Sequence, residues 1–293
     1  MLSGLIKSFR VKQWIKNLFV LAALFFSQSF TDARLSAQAG LGFLLFCFLS
    51  SSVYLINDVL DIEADRQHPI KRMRAIASGE VPLSLAVILA ILLALGSLAC
   101  SFFLLGRLFL GIAALYWVLN LLYSKVLKHI VILDVLIIAI GFVLRAMAGA
   151  AAIEVPISNW LLLCTILLSL FLALSKRRHE LVLLEGNATN HRAILREYSP
   201  YLLDQLIAVV TASTLMAYAL YTMDPEVQAE LGTDKLIFTT PFVIYGIFRF
   251  LYLVHQKDQG GDTTETIVTD MPFALNIFLW VLSVLILLAS PWF

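Results

Sequence analysis

The sequence predicts an all-α, polytopic membrane protein whose helices cross the bilayer nine times. Of its 293 residues 60% are hydrophobic and only 14% are charged, too few charges to cover a soluble domain of this length. Nine stretches approach the roughly 20 apolar residues that one membrane span needs. Helices satisfy their own backbone hydrogen bonds inside a bilayer. We therefore expect a single transmembrane catalytic domain over residues 1–293.

The predicted spans follow one another without a long linker. They cover residues 17–31, 39–58, 83–105, 107–124, 130–152, 158–175, 203–222, 236–254 and 273–292. Only Gly106 and Arg107 separate the third span from the fourth, which predicts a tight hairpin. The three cysteines lie in apolar stretches without metal-site spacing, so we interpret them as small buried hydrophobic residues.

Lysine and arginine are distributed unevenly between the two sides that nine spans define. The side with residues 1–16 carries most of the 21 cations, and the other side carries Arg34, Arg107 and Lys235. The N-terminus lacks a signal peptide's cleavage site, so we expect its first apolar stretch to stay in the membrane. We predict a multi-pass protein of the cell (inner) membrane, with N-terminus and active site cytoplasmic and the C-terminus opposite. The net charge of +1 indicates no nucleic-acid partner.

An acidic cluster lies at the predicted cytoplasmic end of the second span. Asn57, Asp58, Asp61 and Asp65 are spaced so that they project from one face of a helix. Three like charges on one face repel one another, and Mg²⁺ offsets this by bridging carboxylates to substrate phosphates. We predict that the three aspartates are catalytic, that all four residues bind Mg²⁺, and that Asn57 also binds substrate. The alternative is a solvated helix end.

A basic segment follows the acidic cluster directly. Pro69 and Gly79 interrupt the helix there, so this segment is expected to form a loop that folds back over the carboxylates. Guanidinium and ammonium groups beside a metal suit a phosphorylated substrate. Alternatively, these cations only anchor the protein at the cytoplasmic surface. The candidate phosphate-binding residues of the segment are Arg66, Lys71, Arg72 and Arg74.

The residues NDVLDIEAD at 57–65, followed by KRMRAIASGEVP at 71–82, resemble the NDxxDxxxD motif of the UbiA-type prenyltransferase superfamily. The resemblance implies an intramembrane Mg²⁺ enzyme with nine helices around a central cavity. Most members carry a second aspartate-rich motif after the sixth span, which helps to bind a prenyl diphosphate. This chain instead has LALSKRRHELVLLEG, with Lys176, Arg177, Arg178 and Glu180 where two aspartates would be expected. The exchange favours direct binding of a phosphate by cations.

Four further segments are similar to the decaprenyl-phosphate phosphoribosyltransferase branch of that superfamily. They are VKQWIKN (11–17), YSKVLKHIVILD (123–134), GFVLRAMAGA (141–150) and SKRRHEL (175–181). This similarity implies transfer of a 5-phosphoribosyl group from 5-phosphoribosyl 1-diphosphate to a polyprenyl phosphate, a membrane lipid. It also implies a contribution to cell-wall biosynthesis.

The remaining candidates are assigned together to binding of the phosphorylated substrates. They are Lys16, Tyr123, Lys128, Asp134, Arg145, Lys176, Arg177 and Glu180. Arg145 lies inside the fifth span, where an isolated charge is costly and indicates a partner or a cavity. Asp134 has several possible partners: a metal, sugar hydroxyls, Lys128 or a structural salt bridge. Glu180 has the alternative of pairing with Arg177, and residues 260–272 form either a lid or a solvated loop.

Two other functions stay open at this point. An ordinary superfamily member would move a prenyl group from its diphosphate to an aromatic acceptor, and the cationic residues 176–178 count against this. A lipid or small-molecule transporter would carry polar groups near the membrane midplane and comparable sites on both faces. A membrane scaffold would have no use for the acidic face at 57–65.

Overall fold

A computed structural model describes residues 2–67, 71–183, 193–257, 266 and 269–289 of the chain. Every regular element in these ranges is helical, which confirms the predicted fold class. The α-helices are α1 Leu2–Ser8, α2 Ala22–Phe26, α3 Ala33–Leu60, α4 Ile62–Gln67, α5 Leu83–Cys100, α6 Gly106–Lys125, α7 Leu133–Ala152, α8 Asn159–Leu183, α9 Pro200–Met223, α10 Pro225–Leu231, α11 Thr240–Gln256 and α12 Met271–Ala289. 3₁₀ helices occur at Val11–Leu21, Ser29–Thr31, Lys71–Met73, Leu127–His129, Ala193–Glu197 and Lys235–Thr239, and a π-helix at Ser101–Leu105 follows α5.

Seven helical segments of the described ranges are long and apolar enough to cross a membrane. One of them, Leu83–Lys125, contains both the third and the fourth predicted span. The first predicted span, 17–31, is instead divided among a 3₁₀ helix, α2 and a second short 3₁₀ turn. Polar residues interrupt this stretch, and Gln28 adopts a left-handed backbone with φ of 55°. The count of nine spans is therefore not confirmed.

The connection between α5 and α6 depends on one glycine. Gly106 has φ of 87° and ψ of 176°, a conformation that side chains other than glycine rarely adopt. It interrupts the regular helical backbone at the position where the sequence predicts the hairpin. Both α5 and α6 pack against α3.

The chain forms two compact units, and α7 contributes residues to both. The first unit contains Met1–Ile130 and Ile140–Ile157, and the second contains Val131–Ala139 and Ser158–Phe293. The expectation of a single catalytic domain stays a prediction.

The largest core of the first unit is apolar and aromatic. The Phe46 ring lies 5.8 Å from the Phe109 ring and 5.1 Å from the Tyr116 ring, measured between centroids. Gly149 of α7 packs against the 3₁₀ helix Val11–Leu21, because a Cβ at this glycine would lie only 1.9 Å from the Val20 carbonyl oxygen. Only glycine permits this approach, which places the two backbones in direct contact.

The core of the second unit lies among α8, α9, α11 and α12. It includes the buried rings of Phe171, Phe250 and Phe273. Arg249 donates two hydrogen bonds to Asp270, at 3.1 and 2.8 Å, and Asp270 also accepts the Phe273 amide at 2.8 Å. The Arg249 guanidinium lowers the pKa of Asp270 below its usual value. This ion pair links α11 to the start of α12.

Candidate functional site

The acidic motif keeps its helical register across the end of α3. Asp61 follows the last residue of α3, and its amide donates to the Asn57 carbonyl at 2.9 Å. The Asp65 amide then donates to the Asp61 carbonyl at 2.8 Å. The stripe that the spacing predicts therefore continues into α4. Asp58 and Asp65 are both 3% exposed, whereas Asp61 is half-buried.

One arginine joins the two buried aspartates. Arg74 Nη1 lies 3.1 Å from Asp58 Oδ1 and 2.6 Å from Asp65 Oδ2. Two carboxylates that share one guanidinium nitrogen must face each other, so the structure brings Asp58 and Asp65 together. A buried carboxylate is stable only when such a partner compensates its charge.

A second cation, Arg10, was not predicted from the sequence as a site residue. Its Nη2 lies 2.5 Å from Asp58 Oδ1, and its guanidinium lies 4.8 Å from the centre of the Tyr54 ring. Arg10 has a left-handed backbone with φ of 51°, at the start of the 3₁₀ helix Val11–Leu21. The sequence shows only that Arg10 is one of several cations near the N-terminus. The neighbouring residues do not indicate that its partner lies 48 residues away.

The other two members of the acidic motif have different surroundings. Asp61 Oδ1 lies 3.5 Å from Lys128 Nζ, so this predicted phosphate-binding lysine is brought to the acidic cluster. The Asn57 side chain makes no hydrogen bond within the described part of the chain. Its amide remains available to a ligand.

The loop after α4 folds back onto the helix that carries the motif, as the sequence predicts. Ala75, Ile76 and Val81 are buried in one cluster with Leu55 of α3. This packing fixes the chain that holds Arg74. The loop can turn at Gly79, whose φ of 83° suits glycine.

Not every cation of that loop reaches the carboxylates. Arg66 pairs with the exposed Glu63 at 3.1 Å, and Arg72 is exposed. Lys71 is half-buried. Pro69 lies outside the described residues. Of the four predicted cations, Arg74 is the one whose contacts with the motif are established.

A second polar cluster lies in the second unit, around Arg177. This residue is 2% exposed, and its Nε donates to Asp134 Oδ2 at 2.7 Å. Its Nη1 donates to Glu180 Oε2 at 2.5 Å, which is the pairing three residues apart that the sequence suggested. Asp134 is 0% exposed. Asp134 therefore forms a buried salt bridge with Arg177, which is one of the alternatives that the sequence left open.

Tyr198 completes this cluster and was not predicted from the sequence. Its hydroxyl donates to Asp134 Oδ1 at 2.7 Å and accepts the Ile132 amide at 2.8 Å. Burial, together with the hydrogen bond to the Asp134 carboxylate, raises the pKa of Tyr198 to about 12. The phenol is therefore neutral at physiological pH and remains a donor.

Arg145 lies within the core of the first unit and is 6% exposed. Its Nε donates to Asn17 Oδ1 and its Nη2 donates to the Tyr116 hydroxyl, each at 2.8 Å. Its guanidinium also lies 4.8 Å from the centre of the Tyr116 ring and 5.0 Å from that of Phe142. Arg145 therefore has partners, as the sequence predicts for a charge inside a span, but these partners are neutral groups.

The remaining predicted residues lie in less enclosed positions. Three of them are half-buried and each has a polar or ring interaction with a neighbour: Lys16, Tyr123 and Lys176. Arg178 pairs with Asp204, whose side chain is 40% exposed. Most of the suggested lid at 260–272 lies outside the described residues.

The oxygen donors of the acidic cluster fit a hard divalent cation. Within the described ranges no three His, Cys, Asp or Glu side chains form a group that could hold a metal ion. However, Mg²⁺ is usually bound by one or two carboxylates together with substrate phosphates. Asp58 and Asp65 both converge on Arg74 Nη1, so the two carboxylates that could bind such an ion lie close together.

Comparisons with known proteins identify the family of the chain. A model of the UbiA prenyltransferase family matches residues 17–282. The chain is 40% identical to a decaprenyl-phosphate phosphoribosyltransferase of Mycolicibacterium smegmatis, over 96% of this chain and 91% of the relative. It is 35% identical to an enzyme of the same name from Corynebacterium glutamicum, over 95% and 84% of the two chains.

The fold also matches that of a solved structure. A UbiA homolog from Archaeoglobus fulgidus, bound to GPP and Mg²⁺, superposes with a TM-score of 0.72, and the match covers 98% of this chain and 100% of the homolog. The two sequences are 18% identical, so this likeness concerns the fold alone. The match of the family model and the sequence identity to curated relatives together assign the chain to a family. The chain belongs to the UbiA prenyltransferase family.

Proposed function

We propose that this protein transfers a 5-phosphoribosyl group from 5-phosphoribosyl 1-diphosphate to a polyprenyl phosphate and releases diphosphate. The observation that carries this proposal is the convergence of the buried Asp58 and Asp65 on Arg74. Opposed carboxylates with arginines at their edge suit a metal-bound diphosphate. The curated relatives named as phosphoribosyltransferases direct the choice of donor and acceptor.

The acidic motif would hold Mg²⁺ through Asp58, Asp61 and Asp65, with Asn57 as an additional oxygen ligand. Bound there, the ion would neutralise charge on a diphosphate leaving group. The protein's own part is to fix the carboxylates: Arg10 and Arg74 hold them in place, and the packed loop at 75–81 fixes Arg74. The solved homolog that contains Mg²⁺ supports a divalent metal in this fold.

The transfer itself needs positioning more than acid–base chemistry. A phosphate oxygen of the lipid attacks C1 of the ribose as the bond from C1 to the diphosphate breaks, which inverts the configuration at C1. The lipid phosphate is already ionised near pH 7, so no strong base has to remove a proton. Alignment of the two substrates and compensation of their charges therefore account for most of the rate.

Cations from several segments share the phosphates of the two substrates. Lys128 is placed at the acidic cluster by its contact with Asp61. In this proposal the further phosphate ligands are Lys16, Lys71, Arg72 and Lys176, and Arg66 and Tyr123 also bind the phosphorylated substrates. Arg177 already has two carboxylate partners, so its role with Asp134 and Glu180 is to fix the start of α7 against α8.

In this proposal the reaction takes place on the cytoplasmic side of the cell membrane. The protein is an integral, multi-pass membrane protein, as its apolar helices and its family indicate. The excess of lysine and arginine on the side of residues 1–16 supports a cytoplasmic N-terminus and active site. Labelling of single cysteines at positions 12 and 34 with a membrane-impermeant maleimide in intact cells tests this orientation. Labelling at position 12 and protection at position 34 would reverse it.

Variants of the acidic motif test the reaction. Asp58→Ala and Asp61→Ala are compared with Glu63→Ala in purified protein with both substrates and Mg²⁺. The Glu63 side chain is 78% exposed and belongs to the same segment, so it serves as the matched control. We expect kcat/KM to fall at least about 100-fold in the two aspartate variants and to stay near wild type in the control. Near-wild-type turnover by the aspartate variants contradicts the proposal.

Labelled donors separate this function from its alternatives. Transfer of label from the phosphoribosyl donor to a polyprenyl phosphate supports the proposal. Transfer of label from a prenyl diphosphate to an aromatic acceptor identifies an ordinary aromatic prenyltransferase. Metal-dependent product in detergent, without a sealed vesicle, rules out a function that is only transport.

A further inference from the structure

Arg145 carries a positive charge that no carboxylate compensates within the described residues. Its hydrogen-bond partners are the amide of Asn17 and the hydroxyl of Tyr116, and both are neutral. Asn17 in turn donates to Ser50 at 3.1 Å and to Cys47 at 3.4 Å, which are neutral as well. A buried charge without a counter-charge is strongly unfavourable, and inside a membrane segment it usually marks a functional site.

Two donors of this cluster remain available. Arg145 makes its hydrogen bonds through Nε and Nη2, which leaves Nη1 without a partner in the described structure. Nη1 is also not completely enclosed by protein atoms. The Tyr116 hydroxyl, on a residue 2% exposed, accepts the bond from Arg145 and keeps its own proton for donation.

A glycine keeps the space beside these donors open. Gly141 lies one helical turn before Arg145 on α7. A Cβ at this glycine would lie 3.5 Å from Arg145 Nη1 and 3.9 Å from the Tyr116 ring. These are ordinary contact distances, so an alanine fits without displacing anything, yet its methyl group would occupy the face of Nη1.

We infer that Arg145 Nη1, the Tyr116 hydroxyl and the open face of Gly141 form a binding site for a phosphate oxyanion. A guanidinium and a hydroxyl donor beside a glycine match the oxygens of a phosphate. Arg145 lies about 18 Å along α7 from Leu133, at the ~1.5 Å rise of each helical residue, so the site is well inside the span. This inference rests on the proposed function, whose two substrates both carry phosphate groups.

The decisive variant is Gly141→Ala, with Gly111→Ala as its matched control. A Cβ at Gly111 of α6 meets nothing within 4 Å, so both variants add one methyl group to a helix. KM is measured for the polyprenyl phosphate and for 5-phosphoribosyl 1-diphosphate. We expect Gly141→Ala to raise KM for one of them by roughly ten- to a hundredfold, the value of a hydrogen bond to a charged group, with unchanged thermal stability. The substrate whose KM rises identifies the source of the phosphate.

Tyr116→Phe keeps the aromatic ring beside Arg145 and removes only the hydroxyl. It is expected to raise KM for the same substrate as Gly141→Ala. Wild-type KM values for both substrates in the Gly141→Ala variant overturn the inference, and assign Arg145 to a purely structural role.

A binding measurement keeps the site testable if the enzyme proves to catalyse another reaction. Thermal stabilisation of the protein in detergent is measured with a polyprenyl phosphate, with the corresponding polyprenol and with the phosphoribosyl donor. Stabilisation by a phosphorylated ligand that Gly141→Ala abolishes supports the site even without turnover. Equal stabilisation of wild type and Gly141→Ala by every ligand refutes it.

Discussion

Replacement of Asp134 by asparagine tests the most deeply buried ion pair of the protein's described part. Asp134 is 0% exposed and Arg177 is 2% exposed, and their contact measures 2.7 Å. The variant leaves a buried guanidinium without its main counter-charge, a change that costs about 3–5 kcal/mol. Glu180 still contacts Arg177, so we expect the lower end, about 3 kcal/mol. That corresponds to a decrease of Tm on the order of 10 °C for a chain of this size.

The matched control is Asp204→Asn. Asp204 also pairs with an arginine, at 2.5 Å, but its side chain is 40% exposed, and exposed pairs contribute only about 0–1 kcal/mol. Thermal unfolding in detergent, followed by tryptophan fluorescence, measures both variants. The double variant Asp134→Asn/Arg177→Gln should lose less stability than the sum of its single variants, because it also removes the buried guanidinium that Asp134→Asn leaves without its main counter-charge. Equal Tm values for Asp134→Asn and Asp204→Asn would refute the reasoning.

Three further predictions concern other parts of the molecule. Arg74→Gln should lower kcat/KM about 100-fold because it releases the two buried aspartates. Arg34→Gln, at an exposed arginine outside the candidate site, should keep kcat/KM within about threefold of wild type, and equal activities of the two variants would contradict this. Gly149→Ala should lower Tm by several degrees because its Cβ would overlap a carbonyl oxygen, a cost of about 1–3 kcal/mol, whereas Gly111→Ala should not. The raised pKa of Tyr198, about 12 against roughly 10 when unfolded, should add stability that is complete below pH 10 and is lost as the pH rises to 12. Tm is measured against pH for both proteins, and Tyr198→Phe should lack the part of the fall in Tm between pH 10 and pH 12 that comes from ionisation of this phenol.

The sequence alone predicts the composition of the acidic cluster but only part of its surroundings. The spacing of Asp58, Asp61 and Asp65 predicts a shared helix face, because helical periodicity acts within a few residues. The loop that folds back is predicted from its glycine and proline. Which of its four cations reaches the carboxylates could not be predicted, since Arg74 is selected by the packing of the loop against α3.

The first predicted span shows the limit of hydropathy. Residues 17–31 are apolar enough to suggest a helix across the membrane, yet the chain forms short helices there. The buried amide of Asn17, which contacts Ser50 and Arg145, holds this stretch against α3 and α7. Composition predicts that a segment leaves water, but polar contacts decide its local geometry.

The amino-acid sequence determined that this protein is helical, that it resides in a membrane and that its acidic groups line one helix face, since these properties follow from composition and local spacing. The tertiary structure decided which charges meet: Arg10 reaches Asp58 over 48 residues, Arg177 reaches Asp134 over 43, and Arg145 reaches Asn17 over 128. The physical reason is that a side chain's partner depends on which distant helices pack together. Helical periodicity carries no information beyond its own segment.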